Sequence, residues 1–372
     1  MLKKIRIGIS IVVFLFISLY FLDFAEIIPD SFRFIAKIQF IPALLALNVA
    51  VVIVLLAATF IFGRVYCSVV CPMGIFQDVV GRIALFVTRK KGKKKRRRYK
   101  YMQPKNILRL VILGVTVVSL ICGFTLITGL LDPYSAYGRI VVNFFRPPYM
   151  AMNNFLASVF MKFGNYTFFK IEVFLLSISA LITALVTLAI VGYLAWKHGR
   201  LYCNTICPVG TFLSFISRYS IFKVRMVPDK CNSCGLCEMN CKGLCINSKQ
   251  KSIDYSRCVT CYNCLQSCNR NAMVYTAEKT KKGVMQAKNI DAGKRQFLST
   301  LLTTAVVVPA SIVEEKVREL TGGKLIKRKT PITPPGSVSI KHFQQHCTSC
   351  HLCISKCPSR VLKPSFLEYG LN

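Results

Sequence analysis

Gly63-Arg64-Val65-Tyr66-Cys67-Ser68-Val69-Val70-Cys71-Pro72-Met73-Gly74-Ile75-Phe76 returns 136 residues later as Gly199-Arg200-Leu201-Tyr202-Cys203-Asn204-Thr205-Ile206-Cys207-Pro208-Val209-Gly210-Thr211-Phe212, with eight of fourteen positions identical. Each copy directly follows an apolar run, so the repeat predicts two parallel halves that each end in a cysteine pair at the same face. Within a copy the cysteines stand at i and i+4, on one side of a helical turn, where they can share a metal or serve one redox centre. The proline after the second cysteine suits the first turn of a following helix, whose dipole would lower the thiol pKa. Small cysteines packed at an interfacial turn are the plainer alternative. Because both members of both pairs recur, Cys67, Cys71, Cys203 and Cys207 are candidate cofactor-binding residues. Joint ligation of a cluster or metal, dithiol cycling and contact with a partner all remain open for them.

Working outward from the repeat, four segments reach the roughly 20 apolar residues that cross a bilayer: about Ile5 to Leu22, Ile41 to Phe62, Ile107 to Leu131 and Ile171 to Trp196. A formal charge of +35 beside 53% hydrophobic residues fits spans separated by basic loops. The basic residues flank apolar runs and do not interleave with aromatic platforms, which excludes a nucleic-acid partner and makes membrane lipid the expected one. No small-residue cleavage site follows the first run at Asp23-Phe24-Ala25-Glu26, so it is read as a retained helix. Arg89 to Lys100 reads RKKGKKKRRRYK, with ten basic residues in twelve, and anchors that loop in the cytoplasm. The N-terminus and everything immediately after Trp196 then lie inside. A fifth stretch, Phe297 to Val313, is short and broken by Pro309; its basic start at Lys294-Arg295 resembles an export signal and favours a span.

The strongest chemistry is Cys231-x2-Cys234-x2-Cys237-x3-Cys241 followed by Cys258-x2-Cys261-x2-Cys264-x3-Cys268. This is the spacing of two-cluster bacterial ferredoxins, in which the fourth cysteine of each run reaches the other cluster. Carried over, one [4Fe-4S] cluster takes Cys231, Cys234, Cys237 and Cys268, and the second takes Cys258, Cys261, Cys264 and Cys241. Eight thiolates in this double run favour iron–sulfur clusters over zinc. Lys242 and Asn269 replace the proline that usually follows the fourth cysteine, and Cys245 is additional; Cys245 and Cys122 are read as structural. Eighteen cysteines in tight local groups look like ligands and not a disulfide framework, and thiolates that hold iron must stay reduced, so the main clusters are expected to face a reducing compartment.

Cys347-x2-Cys350-x2-Cys353-x3-Cys357-Pro358 is a third such run. Its Cys347-Thr348-Ser349-Cys350-His351 also satisfies the c-type haem attachment pattern. Haem would leave Cys353 and Cys357 unexplained, whereas a third [4Fe-4S] cluster uses all four thiolates. The fourth cysteine of such a run normally serves a neighbouring cluster, and no partner run follows.

The paired motifs, the ferredoxin runs and Asp132-Pro133-Tyr134 together resemble the NapH/NosR/CcoG group of membrane polyferredoxins over about residues 1 to 280. From Lys294 onward, the export-like segment, Pro334-Pro335-Gly336 and the last cysteine run look like the start of a NapG-type periplasmic ferredoxin. The resemblance implies electron relay between the quinone pool or cytoplasmic donors and a periplasmic reductase system, with quinol and redox proteins as partners. It also permits a CcoG-type metal-ion or cofactor reductase or maturation factor, and a redox sensor. We expect an electron-transfer component without its own substrate-transforming site, multi-pass in a bacterial inner membrane. The expected fold is mainly α, with four to five transmembrane helices in two parallel halves plus a small α+β ferredoxin domain. The expected divisions are residues 1–88 for the first half, 89–106 for the basic loop and 107–225 for the second half. They continue as 226–280 for the cytoplasmic ferredoxin domain, 294–315 for a fifth transmembrane or export-like segment, 316–340 for a linker and 341–372 for the C-terminal motif, which lies in the periplasm if Phe297 to Val313 spans and in the cytoplasm if that stretch is an amphipathic or buried helix.

Overall fold

The computed structural model describes residues 1–23, 34–90, 99–122, 125–163, 170, 178–277, 337, 339, 343, 347–355 and 362. The first half contains α1 (Leu2–Leu22), α2 (Phe34–Lys37), α3 (Phe40–Leu45), α4 (Val49–Phe62), α5 (Tyr66–Val69) and α6 (Pro72–Lys90). The second contains α7 (Asn106–Ile121), α8 (Thr125–Leu131), α9 (Pro133–Ile140), a π-helical turn at Val141–Phe145, α10 (Arg146–Lys162), α11 (Ile178–His198), α12 (Leu201–Thr205) and α13 (Pro208–Ser217).

Two described helices are long and apolar enough to cross a membrane: α1, and α11 over Ala180–His198. The chain is mainly helical, as expected, but the expected four continuous spans are not all found. Ile41 to Phe62 is divided at Leu47, whose φ is 51°, and Asn48 then caps α4 by accepting from the Val51 N–H. The 14 residues of α4 reach only about 21 Å. Ile107 to Leu131 is likewise two helices, α7 and α8, and Cys122 at the end of α7 is exposed, so it does not pack in a core. Asp132 caps α9 by accepting from the N–H groups of Tyr134 and Ser135, with Pro133 in the first turn. The expected fifth span and the linker lie outside the described residues except for Ser337 and Ser339, and residues 171–177 of the fourth expected span lie outside them too.

After α13 the chain forms a small module from two antiparallel pairs. β1 (Lys223–Met226) pairs with β4 (Met273–Thr276), and β2 (Ile246–Asn247) with β3 (Ser252–Ile253). Between strands lie the short helices α14 (Leu236–Met239) and α15 (Asn263–Ser267). Its own core joins Val224, Met226, Ile246, Tyr262 and Met273 to the cysteines. The main core surrounds the paired motifs, with Phe21, Phe40, Tyr66, Met73, Tyr137, Tyr202 and Leu213 packed around Cys67, Cys71, Cys203 and Cys207. A last helix, α16 (Leu352–Ser355), carries Cys353.

The module seats on one end of the helices. Lys3 Nζ donates to Gln266 Oε1 at the start of α1, and the Ile221 and Phe222 N–H groups donate to Phe60 O and Ile61 O at the end of α4, each at 2.9 Å. Arg109 near the start of α7 reaches Ser256 Oγ at 3.4 Å, and the Arg200 N–H past the end of α11 reaches Lys242 O at 3.0 Å. These are the four helix ends that the charge pattern assigns to one side.

Candidate metal centres

The two copies of the repeat fold alike and interlock. Gly63 and Gly199 turn the chain at φ 81° and 69°, a conformation that disfavours any side chain with a Cβ. The following arginines then cross over. Arg200 Nη1 donates to Cys67 O at 2.8 Å, and Arg64 Nη2 donates to Cys203 O at 3.2 Å. Cys67 sits on α5 and Cys203 on α12, while Cys71 and Cys207 stand at the openings of α6 and α13. Cys207 Sγ accepts from the Gly210 N–H at 3.4 Å, and Cys71 accepts from Gly74 in the matching place. A Cβ on Gly74 would lie 2.3 Å from Cys67 O, and one on Gly210 would lie 2.3 Å from Cys203 O, so this register is closed to alanine. Tyr66 ties the turn down by donating to Gln39 Oε1 at 3.0 Å and accepting from the Phe40 N–H at 3.1 Å.

All four thiols of the repeat lie within one another's electrostatic reach and are 2–4% exposed. Burial, and after it the neighbouring thiols, push Cys71 and Cys207 well up and Cys203 up to about 11. The expected lowering by the helix dipole is therefore overridden, because desolvation of a fully buried thiolate outweighs a helix N-terminus. Gln77 Nε2 donates to Cys203 Sγ at 3.1 Å.

The wall between this quartet and the module is charged. Asp78 on α6 accepts from Arg200 Nε at 2.8 Å, from Arg6 Nη2 at 2.9 Å and pairs with Lys242 Nζ at 3.0 Å. Burial alone would raise the Asp78 carboxyl, but Arg200, Lys242 and Arg6 hold it far below the usual carboxylate range. Lys242 is the residue that replaces the usual proline, and this ion pair accounts for it. Arg6 also donates to Cys261 O at 3.3 Å, and Asn204 Nδ2 donates to Gly243 O at 3.0 Å and Arg257 O at 3.2 Å. Arg64, fully buried, donates to Asn204 Oδ1, Ser256 O, Cys203 O and, at 3.8 Å, toward Cys67 Sγ; among the described residues it has no carboxylate partner. Asp78, Arg64 and Gln77 were missed in the sequence. The available signal was an acid, scarce in a chain with only 15, standing just after the first cysteine pair.

In the module, a cavity of about 200 Å³ is lined by Cys231, Cys234, Cys237 and Cys268. A second, of about 20 Å³, is lined by Cys241, Cys258, Cys261 and Cys264, with Cys245 added. The fold thus brings together both crossed sets expected from the spacing. Cys245 is not mere packing: its Sγ stands 3.5 Å from Cys241 Sγ, and it hydrogen-bonds Cys258 as well. Hydrogen bonding within this trio, with Cys245 at its centre, favours the thiolate at Cys241 and Cys258 and the thiol at Cys245. In a cluster held by this second set, donation from Cys245 to the sulfurs would favour the more negative, reduced state, so Cys245→Ala is expected to move that cluster to a more negative potential with the eight cysteines of the two runs kept. An EPR-monitored redox titration checks this; an unchanged potential contradicts it.

The all-thiolate chemistry and spacing of these donor sets suit iron–sulfur cubanes; the first set leaves about 200 Å³ between its thiols, whereas the second closes on about 20 Å³, little more than the room of one water. Among the described residues no three His, Cys, Asp or Glu side chains gather closely enough to hold a single metal ion. A cubane offers each thiolate its own iron, whereas zinc draws its ligands to one point at about 2.3 Å. Cys347, Cys350 and Cys353 stand together at the other end of the helices, near α9; Cys357 lies outside the described residues.

The family described as a 4Fe-4S binding domain matches residues 44–97 and 176–226, the two segments that hold the repeat. The chain is 36% identical over 107 residues to the uncharacterized protein MJ0749 of Methanocaldococcus jannaschii, covering 28% of this chain and 43% of that one. It is 24% identical over 275 residues to the uncharacterized protein MJ0750 of the same organism, covering 74% and 94%. It is 25% identical over 228 residues to "Putative electron transport protein YccM" of Escherichia coli, covering 61% and 55%. The chain therefore spans about half the length of MJ0749 and YccM. No solved structure matches it.

Proposed function

We propose that the chain is a membrane-bound iron–sulfur electron carrier that relays electrons between the quinone pool or a cytoplasmic donor and a redox partner across the membrane. One [4Fe-4S] cluster would be held by Cys231, Cys234, Cys237 and Cys268, the second by Cys258, Cys261, Cys264 and Cys241, and a further centre by Cys67, Cys71, Cys203 and Cys207. When bound, such groups supply one-electron storage; the chain supplies ligation, spacing and field. The observation that carries the reading is the convergence of the two crossed cysteine sets on two separate cavities.

Charge supports a centre in the quartet. A fully buried guanidinium such as Arg64 is strongly penalised unless an anion faces it. Neutral thiols do not supply that charge, whereas metal-bound thiolates do. A multi-pass placement is supported by the outward apolar faces of the helices: Ile9, Val12 and Leu15 on α1 and Ile182, Leu185 and Ile190 on α11 are each about half exposed. The basic loop supports a module on the cytoplasmic side. The quartet's burial favours relay over reduction of a diffusing metal ion, which would need access to the thiols.

Poised anaerobically with a quinol, the purified full chain is expected to bleach its own cluster absorbance, and to lose that response when Cys67 and Cys203 become serine. Turnover of added cupric ion without any response to quinol would replace the relay with a metal-ion reductase.

A further inference from the structure

We propose that the C-terminal run is a third cubane loop, docked in the helix bundle at the end opposite the ferredoxin module, so that this single chain carries its own electron exit. The inference rests on the relay reading above and adds the place and nature of its far terminal.

The backbone speaks first. Non-glycine residues rarely take positive φ, yet the same two positions do so, or are glycine, in all three runs. Ser233 and Gly235 stand at 55° and 76°, Thr260 and Tyr262 at 45° and 57°, and Ser349 and His351 at 52° and 61°. A short helix bearing the third cysteine follows each time, namely α14, α15 and α16. Left-handed residues at these positions fold the loop into a nest whose N–H groups face an anionic core. The hydrogen bonds to sulfur repeat in register as well. Ser349 N–H donates to Cys347 Sγ at 3.4 Å, as Thr260 does to Cys258. Leu352 donates to Cys350 as Asn263 does to Cys261, and Ile354 to Cys353 as Glu238 does to Cys237. A haem-attachment segment has no need of this geometry. Cys347, Cys350 and Cys353 are the thiols on which this site rests.

The docking is equally specific. Arg139 on α9, fully buried, donates to Ser349 O at 3.3 Å. Two glycines make room: a Cβ on Gly129 would lie 2.7 Å from Thr348 O, and one on Gly138 would lie 2.9 Å from Cys350 O and 2.7 Å from the Phe21 ring. Cys350 and Leu352 pack against the same core that surrounds the quartet. Helix α1 measures the separation. Arg6 touches the second cluster's loop at Cys261 O, and Phe21 lies beside Cys350 O fifteen residues later, about 22 Å along the axis. Cys67 and Cys71 belong to the core between. Tunnelling decays exponentially with distance, so a centre in the quartet divides one long step into two shorter ones. Each step moves a single electron, with no bond made or broken in the protein.

The test uses the full chain, anaerobically purified and reconstituted in sealed vesicles with ferricyanide trapped inside, dithionite outside and an ionophore to dissipate charge. Each electron taken from dithionite should reduce one ferricyanide to ferrocyanide inside. Cys350→Ser is expected to lose about four irons per chain and to stop ferricyanide reduction, while the EPR signals of the module persist. Gly138→Val, which crowds the seat and keeps every cysteine, is expected to stop ferricyanide reduction with the module's signals unchanged. Unchanged iron in Cys350→Ser, or a covalently bound haem, overturns the third cubane. Undiminished transfer in both variants overturns the exit. A wild-type chain whose clusters are reduced by dithionite but which reduces no trapped ferricyanide overturns the relay reading itself, and the placement with it.

Discussion

Asp78→Asn is expected to destabilise the folded chain by roughly 3–5 kcal/mol, the range for stripping one partner from a buried ion pair. Three cations, Arg6, Arg200 and Lys242, converge on this carboxylate, whose side chain is 7% exposed. Asparagine keeps the shape but leaves three buried positive groups without their anion. The sign with pH follows from the depressed carboxyl: its stabilisation is complete above the unfolded value of about 3.9 and fades only as pH falls through the much lower folded value. The deficit should therefore be constant between about pH 5 and 8. Thermal unfolding of anaerobically purified protein in detergent measures it. Adding Lys242→Met should restore part of the loss by removing one stranded cation. A deficit below about 1 kcal/mol, the level of an exposed pair, would mean that the cluster does not join the module to the helices.

A methyl group in the wrong place should be nearly as damaging. Gly74→Ala and Gly210→Ala each put a Cβ 2.3 Å from a backbone carbonyl that the partner copy's arginine already holds in place. Neither carbonyl can yield without moving a cysteine of the quartet, so each substitution is expected to cost about 3 kcal/mol, the upper part of the overpacking range. Gly114→Ala and Gly192→Ala are the controls: nothing lies within 4 Å of either added methyl. Each should be neutral or stabilising by up to about 1 kcal/mol through helix propensity. Equal behaviour of the two pairs in the same unfolding assay would refute the interlocked repeat.

Much of the candidate site was legible because spacing governs which cysteines can meet. The crossed sets at Cys231 to Cys268 follow from the interval between cysteines, and the repeat fixes which residues mirror each other. Gly74, Gly210, Arg64 and Arg200 recur because each meets the other copy or its own cysteine turn. What the sequence hid depends on contacts between distant segments. Nothing local marks Asp78 as the partner of Arg6, Arg200 and Lys242, and Lys242 looked like a mere departure from proline. Hydropathy ran through Leu47 and Asn48, because two apolar helices joined by a capped turn read like one long run. The expected lowering of the Cys71 and Cys207 thiols considered the helix terminus and omitted burial, the larger effect. The seat of the C-terminal run on Gly129, Gly138 and Arg139 has no periodic signature at all.

Iron and acid-labile sulfide, counted on the full chain purified anaerobically in detergent and accompanied by EPR of the reduced protein, test the central claim most directly. At least eight of each per chain are expected, with the spectrum of interacting cubanes, and Cys237→Ser should lower both counts by about four. A colourless chain without iron, or bound metal without sulfide, would contradict the account.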